Sequence, residues 1–287
     1  MIYNLYPVEN IRYPLEFSPG RKWLHQKTNN KKNLLICIGD SWTWGDSLGK
    51  TTLEYNDEES RYEQFYTNRL AEKLNSDWLM IAWCGTNNDW IINQYEIIKK
   101  FIEQKYYKNY NKIYVHVCLT ELFRELNQIK GINDVFKKKL VLIKDKTFKQ
   151  FCDFYFNLTV LNKLKKLSPI PKSHIFSKNF WDIGVDCGQY NFVNNTWQQL
   201  LFEKTNIEDK EILPVVSGIG IDPLVSFLEE NKLTDLKYDF SKILIKINKR
   251  VDNMIDCTLN HKKATKHPTR EGHQIWADYL YNYYKDL

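Results

Sequence analysis

Short, largely apolar runs, each followed by turn residues or a polar segment, divide the chain. Runs of about four to eight such residues are typical of strands that are buried on both faces of a parallel sheet. In chain order the runs cover residues 34–38, 78–84, 112–119 and 174–176. They predict four buried strands within the first two thirds of the chain.

Between and after these runs, apolar residues recur at the spacing of one face of a helix. This pattern predicts helices over residues 61–74, 90–106, 151–167, 236–256 and 269–284. Asn87 or Asn88 is suited to begin the second helix, because asparagine side chains accept hydrogen bonds from the first backbone amides of a helix. Strands that alternate with helices predict a three-layer α/β/α sandwich, with a mostly parallel sheet and right-handed crossovers.

The length of 287 residues, of which 43% are hydrophobic, suits one domain with a substantial core. We predict a single domain over residues 1–287. Insertions are predicted where the helical and strand patterns are interrupted, near residues 46–60, 125–148 and 180–235.

Charge and aromatic content narrow the classes of partner. The net charge is +6, from 41 basic and 35 acidic residues, and the lysines are spread through many segments instead of forming one track. We therefore predict no nucleic-acid partner. Aromatic residues make up 15% of the chain. Their rings suit stacking on sugars, and they equally fill cores and oligomer interfaces, so this feature leaves both roles open.

The sequence also carries signals of compartment. It has no stretch of about 18 or more consecutive apolar residues, and residues 1–21 lack the apolar core of a signal peptide. We predict a cytoplasmic protein that does not span a membrane, and membership of a phage or cell-surface assembly stays open.

The six cysteines form no C-x-x-C pair, which predicts reduced, buried thiols and neither a disulfide framework nor a zinc site.

The strongest chemical signal is Gly39-Asp40-Ser41, directly after the first predicted strand. Open α/β sheets bind ligands at the carboxyl ends of their strands, which is where this serine hydroxyl would lie. A serine needs a base to take its proton and donors for the oxyanion that develops in acyl transfer. His267, which precedes a proline at the start of the last predicted helix, is the preferred base for Ser41.

These segments resemble the SGNH, or GDSL-type, hydrolase family. Residues 39–41 are similar to the family's first sequence block, Gly85 in Gly-Thr-Asn-Asn to its second, and the His-Pro pair at His267 to its last. The resemblance implies a flavodoxin-like strand order. It also implies that Ser41 is the nucleophile, that His267 is the general base, and that the amides of Ser41 and Gly85 bind the oxyanion.

The chain departs from the family pattern after the third strand. The family has Gly-x-Asn-Asp there, and its asparagine completes the oxyanion hole, whereas this chain has Thr120-Glu121. A carboxylate would oppose an oxyanion, so Asn87 or Arg124 is left as the replacement donor.

A second departure concerns the base. The family commonly has an aspartate two or three residues before the histidine, and this chain has Ala264 and Thr265 there. A backbone carbonyl or a remote acid such as Asp256 is left to orient the imidazole.

Simpler roles compete with the catalytic interpretation. Ser41 also suits a turn serine or a helix cap, and Gly85 a tight turn. Ser47 lies in a Gly-x-Ser-x-Gly match, but it is too far from the strand to form the nucleophile elbow of another hydrolase class. We interpret His116 as a core histidine, and His273 as a residue that packs against or caps the last helix.

The resemblance implies a serine esterase that needs no metal or organic cofactor. Its predicted substrate is an acylated glycan or a small ester. Asp40 joins Gly85, Asn87 and Arg124 as candidates for binding the oxyanion or substrate. The two departures leave open a rival role, in which a weak or inactive domain binds saccharide or serves a structural purpose. The sequence predicts no oligomeric state.

Overall fold

The structure is a computed structural model. It describes residues 2–3, 24–26, 31–45, 63–83, 85–120, 122, 148–179, 190–204, 229, 268 and 270–287.

A six-stranded sheet forms the centre of the fold. Its strands are β1 (Ile2–Tyr3), β2 (Leu24–Gln26), β3 (Asn33–Gly39), β4 (Ser76–Ala82), β5 (Lys112–Leu119) and β6 (His174–Lys178). The order across the sheet is β1-β2-β4-β3-β5-β6. The four strands β4, β3, β5 and β6 are mutually parallel, and β1 and β2 join antiparallel beyond β4.

The parallel strands are apolar because both of their faces are covered. All of β4 and β6 is buried, as are residues 34–39 of β3 and 114–119 of β5. Strand β3 lies between β4 and β5, so its carboxyl end is surrounded by neighbouring strand ends. The central position of the first buried run therefore puts whatever follows it at the middle of the sheet edge.

Helices cover the two faces. They are α1 (Tyr66–Lys73), α2 (Asn88–Glu103), α3 (Phe148–Phe156), α4 (Asn162–Lys166), α5 (Trp197–Lys204) and α6 (Arg270–Tyr284). A π-helical turn at Asn157–Leu161 joins α3 to α4. Helix α1 packs against α6, and α2 packs against the π-helical turn. Because the β3–β4 and β4–β5 connections run in opposite directions across the sheet, right-handed crossovers put α1 and α2 on opposite faces.

The α/β fold class and the mostly parallel sheet are confirmed. The observed order of the parallel strands is second-first-third-fourth, which is the flavodoxin-like order that was predicted. Observed strand and helix ends differ from the predicted ones by a few residues; α1, for example, begins at Tyr66 and not at residue 61. The predicted helix over 236–256 lies outside the described residues.

Three elements were not predicted from the sequence. Strands β1 and β2 are two and three residues long and carry too few positions for a pattern. Helix α5 falls within the predicted insertion at 180–235, yet the described part of that segment belongs to the core, where Trp197 and Leu201 are buried. The other two predicted insertions lie outside the described residues, apart from the start of α3.

Two further predictions can be compared with the fold. Cys37, Cys118 and Cys152 are buried free thiols, as the scattered cysteines predicted. Burial raises the pKa of Cys37 and Cys152, which keeps these thiols protonated. Over the described ranges, none of the helices has the length and apolar character needed to cross a bilayer.

Candidate active site

Ser41 lies at the topological switch point of the sheet. The chain leaves β3 toward β4 on one side, and later returns past β3 to β5 on the other side. In open α/β sheets, the crevice between two such strands, at their carboxyl ends, is where ligands bind. Ser41 follows the last residue of β3 by two positions, as the sequence predicted.

The turn after β3 depends on a glycine. A Cβ atom on Gly39 would overlap the Thr43 hydroxyl, lie 2.7 Å from Thr43 Cβ, and lie 3.2 Å from Cys118 Cβ. Residue 39 must therefore lack a side chain for the turn to fold back onto the strand. The turn is closed by Trp44 N, which donates to Asp40 O at 2.9 Å.

Asp40 ties three strand ends together. Its side chain is fully buried. Oδ1 accepts from Trp42 N at 3.0 Å and from Asn179 Nδ2 at 2.8 Å, and Oδ2 accepts from Thr120 Oγ1 at 2.6 Å. Thr120 directly follows β5 and Asn179 directly follows β6. We call Asp40, Thr120 and Asn179 the carboxylate clamp. Because both Asp40 oxygens bind groups of the protein, the carboxylate fixes the shape of the turn that carries Ser41.

Further hydrogen bonds surround the carboxylate clamp. Asn88, the first residue of α2, accepts from Thr120 N at 2.9 Å and donates to Thr120 O at 3.3 Å. Cys118 Sγ donates to Asn179 Oδ1 at 2.7 Å, and Asn179 N donates to Leu119 O at 3.0 Å. All of these side chains are buried. The ends of β3, β5 and β6 and the start of α2 therefore form one connected polar network.

Ser41 itself is 6% exposed. It lies between Asp40, which carries the buried carboxylate, and Trp42, whose backbone N donates to that carboxylate. Its position in the backbone is therefore set by the buried network.

Gly85 lies on the neighbouring strand end. Trp83 N donates to Gly39 O at 3.4 Å, which extends the pairing of β3 and β4 by one residue beyond Ala82. Gly85 is exposed and has φ +76°, and a Cβ atom there would meet nothing within 4 Å. The glycine is therefore favoured by its left-handed backbone conformation and not by crowding.

Asn87 is the N-cap residue of α2, and it is one of the two residues predicted for this position. Its Oδ1 accepts from Trp90 N at 2.8 Å, so the side chain caps the helix. The oxygen of this side chain is therefore turned to the helix, and the amide nitrogen is its donor end.

Helix α6 begins at the same edge of the sheet. His273 Nδ1 accepts from Tyr66 N, at the start of α1, at 3.1 Å. Trp197 Nε1 donates to Gly272 O at 3.2 Å. The far end of α6 lies at the opposite edge, where Tyr284 Oη donates to Val115 O in the first half of β5 at 2.8 Å. Helix α6 therefore begins at the edge where β3 ends.

The predicted role of the two core histidines is confirmed. His116 is fully buried; its Nδ1 lies 3.0 Å from Tyr66 Oη, and its Nε2 lies 2.8 Å from Ser177 Oγ. Burial lowers the pKa of His116 to about 3, so the imidazole is neutral. His273 is also buried and stacks on the Tyr66 ring. Both histidines therefore belong to the buried interior of the fold.

Several predicted residues cannot be compared with the structure. They lie outside the described residues: the candidate base His267, the candidate donor Arg124, Glu121, the decoy Ser47, and the remote acid Asp256. The structure thus brings together Ser41, Asp40, Gly85 and Asn87, which sit on two adjacent strand ends and the helix that follows.

Sequence reasoning missed Thr120, Asn88 and Asn179. A signal existed for Thr120, which directly follows a predicted strand, and for Asn88, which lies at the predicted start of a helix, whereas Asn179 lies three residues beyond the strand predicted at 174–176. Only the pairing of the strands shows that Thr120 and Asn179 bind one carboxylate and that Asn88 holds the backbone of Thr120. Within the described ranges, no group of three histidine, cysteine, aspartate or glutamate side chains is arranged to hold a metal ion.

Comparison with protein-family models gives no match, and comparison with curated proteins gives none either. Two solved structures are similar at low level. One is LAE5, an alpha/beta hydrolase enzyme from the metagenome of Lake Arreo, Spain, with 14% identity, coverage of 88% of this chain and 95% of that chain, and a TM-score of 0.34. The other is a variant of Axe2, an acetyl-xylooligosaccharide esterase from Geobacillus Stearmophilus, with 14% identity, coverage of 88% and 94%, and a TM-score of 0.33.

Proposed function

We propose that the protein is a serine-dependent carboxylic ester hydrolase of the SGNH type. The observation that carries this proposal is the position of Ser41 at the switch point of a parallel sheet, on a turn held by a buried carboxylate. A nucleophile gains most from a backbone that is already fixed, because positioning then costs little during the reaction.

In the proposed reaction, Ser41 Oγ attacks the acyl carbon of the ester and His267 takes the hydroxyl proton. The amides of Ser41 and Gly85 bind the oxyanion, with Asn87 or Arg124 as the third donor. The alcohol leaves with the proton that His267 returns. Water then attacks the acyl-enzyme, with His267 again as the base, and releases the carboxylic acid and free Ser41.

The position at which α6 begins supports His267 as the base. His267 is three residues before Arg270 in the sequence, and Arg270 begins α6 at the edge where β3 ends. Three residues of extended chain span at most about 10 Å. A backbone carbonyl or Asp256 is proposed to orient the imidazole, since no aspartate directly precedes this histidine.

The test is turnover of p-nitrophenyl acetate by the wild-type protein beside Ser41→Ala. Loss of the nucleophile is expected to lower kcat by at least about 10³-fold. Ser47→Ala is the matched control and should keep the wild-type rate. Equal rates for wild type and Ser41→Ala would remove Ser41 as the nucleophile.

A second candidate is a saccharide-binding domain with little or no catalysis. One observation favours it: the Thr120 hydroxyl, at the position after the third parallel strand, donates to Asp40 and does not serve an oxyanion. This candidate predicts that wild type and Ser41→Ala are equally slow toward p-nitrophenyl acetate and bind oligosaccharides equally well.

We also propose that the protein binds no nucleic acid and works as a cytoplasmic enzyme. Elution from heparin at low salt is the expected result, because nucleic-acid binding would bring strong, salt-sensitive retention.

A further inference from the structure

Two tryptophans lie on the strand ends that carry Ser41 and Gly85. Trp44 follows Ser41 by three residues, and Trp83 directly follows β4. Their ring centroids are 5.3 Å apart and their planes meet at 53°. Both side chains are partly buried, in contrast to the fully buried tryptophans Trp78 and Trp197. The pair is thus anchored at its base and retains some accessible surface at the edge where substrate would arrive.

Three of the described charged residues of this edge are engaged in contacts with the protein, whereas Arg270, at the start of α6, is exposed. Asp40 is buried within the carboxylate clamp. Asp89, at the start of α2, forms an ion pair with Lys163. Lys178, at the end of β6, is 4% exposed and its Nζ lies 5.8 Å above the Phe192 ring. Around the tryptophan pair, the described residues therefore combine aromatic surface with amide and hydroxyl groups, which are the groups that contact the face and the rim of a sugar ring.

We propose that Trp44 and Trp83 form a stacking platform for a neutral sugar ring, the alcohol part of the ester that Ser41 cleaves. A pyranose ring has flat C–H surfaces that pack on an indole face, and hydroxyl groups at its rim that pair with amides and hydroxyls. A flexible acyl chain would gain less from a rigid, angled pair of indoles. The assignment of the sugar as the leaving alcohol rests on the proposed hydrolysis; the stacking platform itself does not.

The proposed hydrolysis consumes one water molecule and needs no other reactant. The bond between the acyl carbon and the sugar oxygen breaks, the sugar oxygen gains a proton, and the acyl group leaves as a carboxylic acid. Neither an oxidant nor a second substrate is needed.

The test compares two acetate esters that differ in their alcohol. Acetate release is followed in a pH-stat with glucose pentaacetate and with ethyl acetate, which has no ring to stack. Trp44→Ala and Trp83→Ala are each expected to lower kcat/KM about 10-fold toward the sugar ester and less than about 2-fold toward ethyl acetate. Trp44→Phe and Trp83→Phe, which keep a smaller ring, should recover part of the loss. Equal losses toward both esters in the alanine variants would overturn the platform.

Tyr106→Ala is the matched control. Tyr106 is the large exposed aromatic residue just beyond α2, at the opposite edge of the sheet, with 44% of its surface exposed. Its removal should leave both rates unchanged. A drop in sugar-ester turnover equal to that of the tryptophan variants would also count against the platform.

A binding measurement separates this inference from the proposed function. Ser41→Ala protein is titrated calorimetrically with cellopentaose, xylopentaose and maltopentaose, with and without Trp44→Ala. Binding of at least one of them, weakened about 10-fold by Trp44→Ala, supports the platform even if the wild-type protein cleaves no ester. If wild type cleaves ethyl acetate through Ser41 but none of these sugars binds, and both esters are affected equally, the esterase stands and the platform falls.

Discussion

Two buried polar networks involve β5 and β6 or the residues that directly follow these strands, and the networks differ in charge and in place. The carboxylate clamp is anionic and lies at the strand ends, where Asp40 binds Thr120 and Asn179. The second, which we call the imidazole network, is neutral and lies on the face of the sheet. There His116 bridges Ser177 on β6 and Tyr66 on α1.

The two networks differ in the parts of the fold that they hold together. The imidazole network joins α1 to β5 and β6, and it reaches the Ser41 turn through Tyr66 Oη, which lies 3.2 Å from Thr43 Oγ1, so its loss would chiefly weaken packing. The carboxylate clamp joins three strand ends around the turn of Ser41, so its loss would weaken the fold and also displace the nucleophile. The same physical feature, a buried polar group with its partners, thus serves stability in one place and positioning in the other.

The largest expected effect comes from Asp40→Asn. An amide nitrogen would face one of the donors that now bind the carboxylate, which should lower the free energy of unfolding by roughly 3 kcal/mol. Because Ser41 follows directly, kcat for ester hydrolysis should fall as well, with KM little changed. Denaturant unfolding and steady-state kinetics measure the two effects.

Asp77→Asn is the control for this prediction. Asp77 is also buried, but it lies at the start of β4 and accepts from Tyr110 Oη at 2.9 Å, at the opposite edge. It should destabilise the fold without lowering kcat. A lower kcat in Asp77→Asn, measured where the protein stays folded, would mean that stability alone controls activity.

The next effect is the loss of stability in acid. Burial lowers the pKa of His116 to about 3, and burial together with Lys99 lowers the pKa of His174 to about 4. An unfolded histidine titrates near about 6.5, so below that pH the unfolded chain binds protons that the folded protein does not. The stability contributed by the neutral imidazoles is complete above about pH 6.5 and falls as the pH drops toward 4, by roughly 2.7 kcal/mol per histidine at about pH 4.5.

Chemical denaturation at neutral pH and at about pH 4.5 measures this loss. The difference between the two conditions should shrink in His116→Gln and again in the double variant with His174→Gln. Carboxylates that titrate in the same range affect all of these proteins alike. An unchanged pH dependence in His116→Gln would contradict the neutral imidazole network.

A smaller effect compares one hydroxyl from each network. Thr120→Val removes a donor to Asp40, and Ser177→Ala removes the partner of His116 Nε2. Each should cost about 1–2 kcal/mol of stability, because a buried polar atom is left with one bond fewer. Only Thr120→Val should lower kcat; equal activities in the two variants would show that the carboxylate clamp does not position Ser41.

The smallest effect is at the cap of α2. Asn87→Ala removes the acceptor for Trp90 N and should cost about 1 kcal/mol. Asn87→Ser restores an acceptor and should recover the stability. If Asn87 is the third oxyanion donor, both variants should share a loss of about 10²-fold in kcat; full activity in Asn87→Ser would leave Arg124 as the candidate.

The sequence predicted the parts of the fold that short-range patterns encode. Buried strands form nearly continuous apolar runs and amphipathic helices have a period of apolar residues, and both patterns are visible along the chain. Capping chemistry limited the start of α2 to Asn87 or Asn88. The carboxylate clamp could not be predicted, since Thr120 is 80 positions and Asn179 is 139 positions from Asp40 along the chain. Their meeting depends on strand order, which no local pattern contains.

Helix α5 shows a second limit of prediction. Its residues follow a glycine-rich stretch and lack a clean apolar stripe, so local pattern did not reveal it. It is held by tertiary contacts, with Trp197 stacked on Trp276 at 5.3 Å and against Trp42 edge to face at 5.2 Å. Tertiary packing determines the helical structure of α5, whereas helix propensity and the period of apolar residues determine that of α2.

The most direct test of the central claim is covalent labelling with a fluorophosphonate, which phosphonylates activated serines. Labelled protein would be digested and the modified peptide located by mass spectrometry. We expect one phosphonyl group on Ser41, and none after Ser41→Ala. A label on Ser47 or on another serine, with Ser41 unmodified, would contradict it.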